Sequence, residues 1–355
     1  MKQFIKKVFV ISLPVFFLMI SVNYFGDAAN IFNREYEKRM AEIIISKSNA
    51  KYKSNYSERL LQKELILKES MNYDVIFIGS SRGMLLTSDM FPNSTFFNRG
   101  VSGASIEDLI AIYQLCKSNN KLPKKIIIGI DPWVFNDNND KTRWKTAFRN
   151  EVNLFANLPS TPYLNIVVEK IRELFSFSYF QNSFKPFIKM LVGKREYPQP
   201  TQTIDNSSTL KLADGSIWYG TDTYRLSTKK IDEKVQSWLA GGAIYGLENF
   251  NTISNKNWEF FKLLINEMAN NDIEISFYME PYHPLIYEKV KKTHKMVIKT
   301  EEKIRNYAKE NKIKIIGSFN PSKLGLSGNS FYDGMHCNEV AVKQIVESTN
   351  AQHGI

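Results

Sequence analysis

The sequence predicts an α/β protein built on a parallel sheet with helices on both faces, preceded by an apolar N-terminal helix. Three observations predict it. Short continuous apolar runs recur along the chain at "DVIFIG" (74–79), "TFFN" (95–98), "KKIIIGID" (124–131), "IEISFYME" (273–280) and "IKIIGS" (313–318). Between them lie amphipathic helical patterns: "SIEDLIAIYQLCKS", "NWEFFKLLINEMANN" and a long run from Leu285 to Glu310. Apolar strands without alternation are strands buried on both faces, and their alternation with helices is the pattern of a covered parallel sheet. The third observation is the opening "MKQFIKKVFVISLPVFFLMISVNYFGDAANIF".

In that opening, Lys2, Lys6 and Lys7 precede an apolar run from Val8 to Phe25. At about 1.5 Å per helical residue, such a run is close to the hydrocarbon thickness of a bilayer. Basic flanks stay in the cytoplasm, so the remainder of the chain is expected outside. Asn23 and Tyr24 suit an interfacial end, which favours an uncleaved signal anchor over 1–32. A cleaved signal peptide, with Gly26 and Ala28 as a poor small-x-small site, and a buried core helix are the alternatives. Residues 33–72 are highly charged, and "SERLLQKELILKES" sets Leu60, Leu61, Leu65 and Leu67 at helical spacing, which reads as a helical stalk.

The α/β domain is expected over 73–350. Its rhythm breaks from about 137 to 250, where Thr161–Gly193 is aromatic-rich and partly helical and "STLKLADGSIWYGTDTYR" reads as a hairpin around Asp214-Gly215. This stretch is an insertion, either a cap or binding face or a separately packed subdomain. No internal repeat is present.

Composition narrows the partners. With 47 basic against 36 acidic residues, the 355-residue chain carries a formal charge of +11. That favours contact with an anionic surface or polymer, although a general Lys and Asn excess is the plainer explanation. No basic stripe with interleaved aromatics is present, which argues against nucleic acid. Two cysteines, Cys116 and Cys337, and four histidines form no ligand-spaced cluster, so neither a disulfide framework nor a metal site is expected.

The chemistry concentrates at strand ends, where doubly wound sheets place their sites. Gly79-Ser80-Ser81-Arg82 closes the first strand. Serine there is a helix cap, part of a phosphate-binding turn, or a nucleophile. Near the other end, "SFYDGMHCNEVAVKQIVE" holds Asp333 and His336 in an Asp-x-x-His loop before a helix. That spacing lets a carboxylate orient an imidazole, which can then take a proton from a serine on another strand edge.

Together these blocks resemble the SGNH, or GDSL-like, hydrolase superfamily, over scattered short blocks between Asp74 and Glu347. The resemblance implies a flavodoxin-like three-layer fold. Gly79-Ser80-Ser81 matches the family's Gly-Asp-Ser, which places the nucleophile at Ser81. "NRGVSGAS" (98–105) is similar to its second block and implies an oxyanion donor at the Gly103 N–H, beside that of Ser81. Asp333 and His336 match the last block. The third block departs: in "GIDPWVFN", Asp131 stands where the family often has an Asn oxyanion donor, and an ionised carboxylate donates nothing. That departure and the N-terminal run resemble the membrane-anchored branch that includes the D-alanyl transfer protein of teichoic acids and alginate O-acetylation proteins, as does "YMEPYHP" (278–284).

The resemblance implies an extracytoplasmic serine acyl-esterase or O-acyltransferase acting on a cell-envelope polysaccharide, without a cofactor, held in the cell membrane by a single pass. It also implies a membrane-bound O-acyltransferase as partner. A non-catalytic, polymer-binding scaffold is the alternative. Arg82, Asp131, Trp133 and His283 are candidate substrate-binding residues. Their plainer readings are a surface arginine, a core tryptophan and a packed turn histidine, and Trp144 stands with Trp133. Cys337 reads as a packed thiol, His294 as solvated and His353 as part of a polar tail.

Overall fold

The structure, a computed structural model, describes residues 1–352 except 54, 140, 205–207, 221–226, 242 and 243; the side chains at 5, 8, 9 and 350–352 are also outside the description. The expected tail position of His353 therefore lies outside the described residues. The chain opens with α1 (Lys2–Gly26), α2 (Glu35–Ile45), β1 (Asn49–Lys51) and α3 (Glu58–Lys68). There follow β2 (Val75–Ile78), β3 (Phe96–Asn98), α4 (Ile106–Ser118) and β4 (Lys125–Gly129). The insertion comprises α5 (Lys145–Phe155), α6 (Tyr163–Leu174), α7 (Phe177–Leu191), β5 (Gln199–Thr201), β6 (Leu210–Lys211), β7 (Ile217–Trp218) and α8 (Thr228–Ala240). The chain then returns through α9 (Asn255–Ala269), β8 (Glu274–Met279), α10 (Pro284–Thr293), α11 (Lys295–Glu310), β9 (Lys314–Gly317) and α12 (Glu339–Gln352).

All five apolar runs are strands of one parallel sheet, in the order β3-β2-β4-β8-β9. Counted along the chain that is 2-1-3-4-5, the doubly wound order whose switch point falls between the first and third sheet strands, here β2 and β4. Their side chains divide by parity. Ile76, Ile78, Ile126, Ile128, Phe277 and Met279 enter one core with α4, α9 and α11. Val75, Phe77, Ile127, Tyr278 and Ile316 enter a second core with α12. Both faces are thus apolar, which is why the strands show no alternation.

Two expectations need correction. Residues 33–72 are not a free stalk. Leu60, Leu61, Leu65 and Ile66 of α3 are buried in the larger core, and Arg59 is paired with Asp108 at 2.6 Å. Likewise β1 is an inner strand of an antiparallel sheet β5-β1-β6-β7, so the segment before the α/β domain is sealed by strands of the insertion. The long helical run also breaks at His294, which ends α10 and precedes α11. The predicted hairpin forms, with Gly215 at φ 79°. Its tip docks on β3, where the Asn98 N–H donates to Asp214 O at 2.8 Å, and β7 meets the loop after β2, where the Ile217 N–H donates to Met84 O at 3.0 Å.

Most of α1 stands clear of this body. Val10, Ile11, Leu13 and Val15–Leu18 are exposed, whereas Val22, Asn23 and Gly26 are buried at its C-terminal end. Among the described residues, which leave out the side chains at 5, 8 and 9, no helix is long and apolar enough to cross a membrane.

Candidate active site

The site lies at the carboxyl edge of the sheet, where three loops converge. The first follows β2. Gly79 has no room for a Cβ, because the Phe77 ring and the Gly129 backbone of β4 fill that space. The two strand ends therefore close together at the switch point. The segment after Gly79 is a three-residue 3₁₀ turn, Ser81–Gly83. Ser80 is its cap: the hydroxyl accepts from the Arg82 N–H at 3.2 Å. Ser80 is 1 % exposed, so the cap and nucleophile readings separate onto two adjacent serines.

Ser81 is partly exposed. Its Oγ lies 3.2 Å from His336 Nε2. On the far side of the ring, His336 Nδ1 lies 2.9 Å from Asp333 Oδ2. The carboxylate cannot donate, so Nδ1 carries the proton and Nε2 is left with its lone pair toward Ser81. Asp333 is itself fixed. Its Oδ1 accepts from the N–H groups of Met335 at 2.8 Å and His336 at 2.9 Å, which makes the Asp-x-x-His segment a closed turn. An antiparallel bridge between Phe331 and Cys337 pinches the loop's base.

The electrostatics agree with the geometry. Burial alone favours neutral forms of both groups. Against it, the His336 charge and three hydrogen bonds hold the Asp333 carboxyl below its ordinary range, and the Asp333 charge raises the His336 imidazolium above its own. Tyr332 stacks parallel to the His336 ring at 5.4 Å and meets Tyr219 of the insertion at 6.0 Å. The insertion thus forms one wall beside the histidine.

Arg82 is neither a surface residue nor free. It is 2 % exposed and ties its own loop after β2 to the loops after β4, β8 and β9. Its Nε donates to Met335 O at 3.0 Å, its Nη1 to Asp131 Oδ1 at 3.3 Å, and its Nη2 to Pro281 O at 2.9 Å and to Glu280 O. The guanidinium also lies over the Tyr282 ring at 4.3 Å. Asp131, where a side-chain oxyanion donor was in doubt, is the buried counter-ion of this arginine. Burial raises its pKa, opposed by Arg82, Ser80 and Lys141.

The remaining expectations sort as follows. Trp133 is 1 % exposed and donates from Nε1 to Ala104 O at 3.1 Å, a core position. His283 is buried and caps α10, its Nδ1 accepting from the Leu285 N–H at 3.3 Å; it packs edge-on against Phe331. Trp144 is partly buried against the core. His294 is hydrogen-bonded through Nδ1 to Thr293 at 2.7 Å. Cys337 is a buried free thiol whose pKa burial pushes well up. Gly103 sits at φ 55° with the Arg143–Tyr245 pair in the space a Cβ would take. Its loop runs beside the serine turn, since the Val101 N–H donates to Gly79 O at 2.9 Å. Among the described residues no group of three or more His, Cys, Asp or Glu could hold a metal.

Two organising residues were missed from sequence. Asn98 is fully buried, donates to Gly83 O at 2.8 Å and Leu86 O at 3.0 Å, and accepts from the Gly100 N–H at 3.0 Å. It staples the serine loop to the Gly103 loop. Glu280, at the end of β8, accepts from the Cys337 N–H at 2.5 Å. Its pKa is pushed up to about 8 by burial, against the pull of Arg82 and His336. A charged residue at the end of an otherwise apolar strand was the available signal for it. No family model matches the sequence, and no curated protein is significantly similar to it.

Proposed function

We propose that the protein is a serine acyl-esterase or O-acyltransferase of the SGNH type, acting outside the membrane on a hydroxyl-bearing envelope polymer. The observation that carries this reading is the chain Ser81 Oγ to His336 Nε2 at 3.2 Å and His336 Nδ1 to Asp333 Oδ2 at 2.9 Å. In this reading Ser81 Oγ attacks an acyl carbonyl while Nε2 takes its proton. The N–H groups of Ser81 and Gly103 hold the developing oxyanion. The imidazolium then protonates the leaving oxygen, giving an acyl-serine and a free alcohol. Deacylation reverses these roles. Water yields the acid, and a glycan hydroxyl yields a new ester. Since Asp131 is engaged by Arg82, the proposed oxyanion hole is made of main-chain donors alone.

The location rests on the sequence of α1, with its basic start and apolar run Val8–Phe25, and the formal charge of +11 suits an anionic polymer or surface. A membrane-bound O-acyltransferase as acyl donor is part of the same proposal. A scaffold reading, favoured by the Asp131–Arg82 pair in place of a donor, predicts polymer binding that survives loss of the serine.

Labelling with a serine-directed fluorophosphonate decides between them. The expected result is modification of the wild-type protein and of Ser80→Ala, and none of Ser81→Ala. Folded wild-type protein that takes no label and hydrolyses no activated ester would falsify the enzymatic reading and leave the scaffold.

A further inference from the structure

The insertion carries a surface that the proposed chemistry does not use. No residue of α6 is buried. Its exposed apolar side chains Leu164, Val168, Ile171 and the following Phe175 recur at i, i+4, i+7 and i+11, a single stripe along one face. On α7, Phe177, Phe184, Ile188 and Leu191 form a second exposed stripe, completed by Phe180, which stacks on Phe177. Isolated exposed apolar residues are ordinary, but two such stripes on helices separated by two residues expose more apolar surface than a free face carries without a cover.

The same hairpin clasps α1. Asn23 Nδ2 lies 2.9–3.1 Å from the carbonyl oxygens of Glu173, Leu174 and Ser176, at the α6–α7 junction. The Ala28 N–H donates to Ser183 Oγ, and Tyr179 Oη donates to Asp27 Oδ1 at 2.7 Å. Gly26 admits no Cβ because the Ser183 backbone fills its place. The face of α7 that holds α1, with Tyr179 and Ser183, is adjacent to the apolar stripe. On the stripe's other side stand the exposed lysines Lys185 and Lys189, followed by Lys194. A helix with a buried face, an apolar face and a lysine edge suits a bilayer interface, where lysine stems reach anionic headgroups.

We propose that α6 and α7 form a second membrane element, lying in the interfacial region of an anionic bilayer around the point where α1 enters it. The inference rests on the reading of α1 as a membrane anchor. Two things select a bilayer as occupant: both helices pack against α1, whose own apolar side chains are exposed, and the free edge of the α7 stripe is basic.

The test uses the full chain in vesicles of phosphatidylcholine and phosphatidylglycerol. An environment-sensitive fluorophore is placed singly by Ile11→Cys on α1, Leu164→Cys on α6, Ile188→Cys on α7, and Glu302→Cys on α11 as the solvent control. The native thiols Cys116 and Cys337 are buried and free. The expected result is a blue shift at 164 and 188, with loss of fluorescence to shallow spin-labelled lipids. Position 11 should lose fluorescence to deep ones, and position 302 to neither. Quenching at 11 without quenching at 164 and 188 overturns the hairpin inference and leaves the anchor standing. No quenching at 11 overturns the anchor reading itself. A blue shift at 164 and 188 without lipid quenching, growing with protein density, assigns the stripes to a protein partner and also overturns the inference.

Discussion

At the carboxyl edge of the sheet, a single arginine is buried and its donors meet oxygens from three loops. At the α1–α6–α7 corner, phenylalanines and leucines of three neighbouring helices stand exposed while one asparagine and one tyrosine hold the helices together. The two regions answer the same problem from opposite sides. The loops at the proposed site bury apolar side chains of their own, such as Met84, Leu86, Trp133 and Met335, and Arg82 adds directed hydrogen bonds that fix how they sit against one another. The α1 corner has apolar surface in excess and needs polar contacts only to set the angle between its helices. Rigidity at the first region comes from inside the protein. At the second, we expect it to come from what covers it.

The largest expected effect separates orientation from packing at the first region. Asp333→Asn keeps the shape of the loop but removes the charge that fixes the His336 tautomer. Activity should fall about 10⁴-fold. The pH profile adds a check. Nε2 must be neutral to accept the Ser81 proton, and Asp333 raises the His336 pKa. Activity in the wild type should therefore rise through a pH above about 6.5, the ordinary histidine value. In Asp333→Asn the residual activity should rise at lower pH, since the raising charge is gone. An unchanged acid limb in a stopped-flow pH series would show that this limb does not report His336.

Next in size is Arg82→Met. It leaves Asp131 buried without its partner, which for such pairs costs about 3–5 kcal/mol. Urea unfolding should show the loss, and Arg82→Met/Asp131→Leu should recover part of it. Equal stability of the single and double variants would mean that Arg82 acts through the loop carbonyls and not through Asp131.

These residues also mark what the sequence made legible. Each strand of the large sheet was readable, because burial on both faces leaves an uninterrupted apolar run such as Ile126–Ile128. Ser81, Asp333 and His336 were readable through short blocks whose chemistry fixes their spacing. The Arg82–Asp131 pair was not, since the partners are 49 residues apart and each alone has a plausible exposed role. Nor was the burial of α3. Its sequence is charged because Arg59 is paired with Asp108 and Lys63 with Glu151, contacts with no local signature. In both places a charge suggested solvent and a distant counter-charge decided otherwise.

The second region should respond locally. Asn23→Ala removes donors to three carbonyls at the α6–α7 junction, a loss of about 2 kcal/mol at most when those groups are left partly buried. Amide hydrogen exchange in residues 173–180 should accelerate, while exchange in β2, β4 and β8 stays as in the wild type. Acceleration in the central strands would show that the corner and the sheet unfold as one unit.

The smallest stability effect separates the adjacent serines. Ser80 caps the 3₁₀ turn, whereas Ser81 faces His336. Ser80→Ala should cost about 1 kcal/mol in urea unfolding, the usual worth of a cap. It should retain most ester hydrolysis, because no atom of its side chain meets the His336 ring in the described contacts. Ser81→Ala should do the reverse, with stability near wild type and no acyl transfer, since Ser81 Oγ has His336 Nε2 as its hydrogen-bond partner and is partly exposed. If Ser80→Ala instead loses activity in proportion to stability, the turn's geometry is held by its cap. The serine that reacts would then depend on the serine that does not.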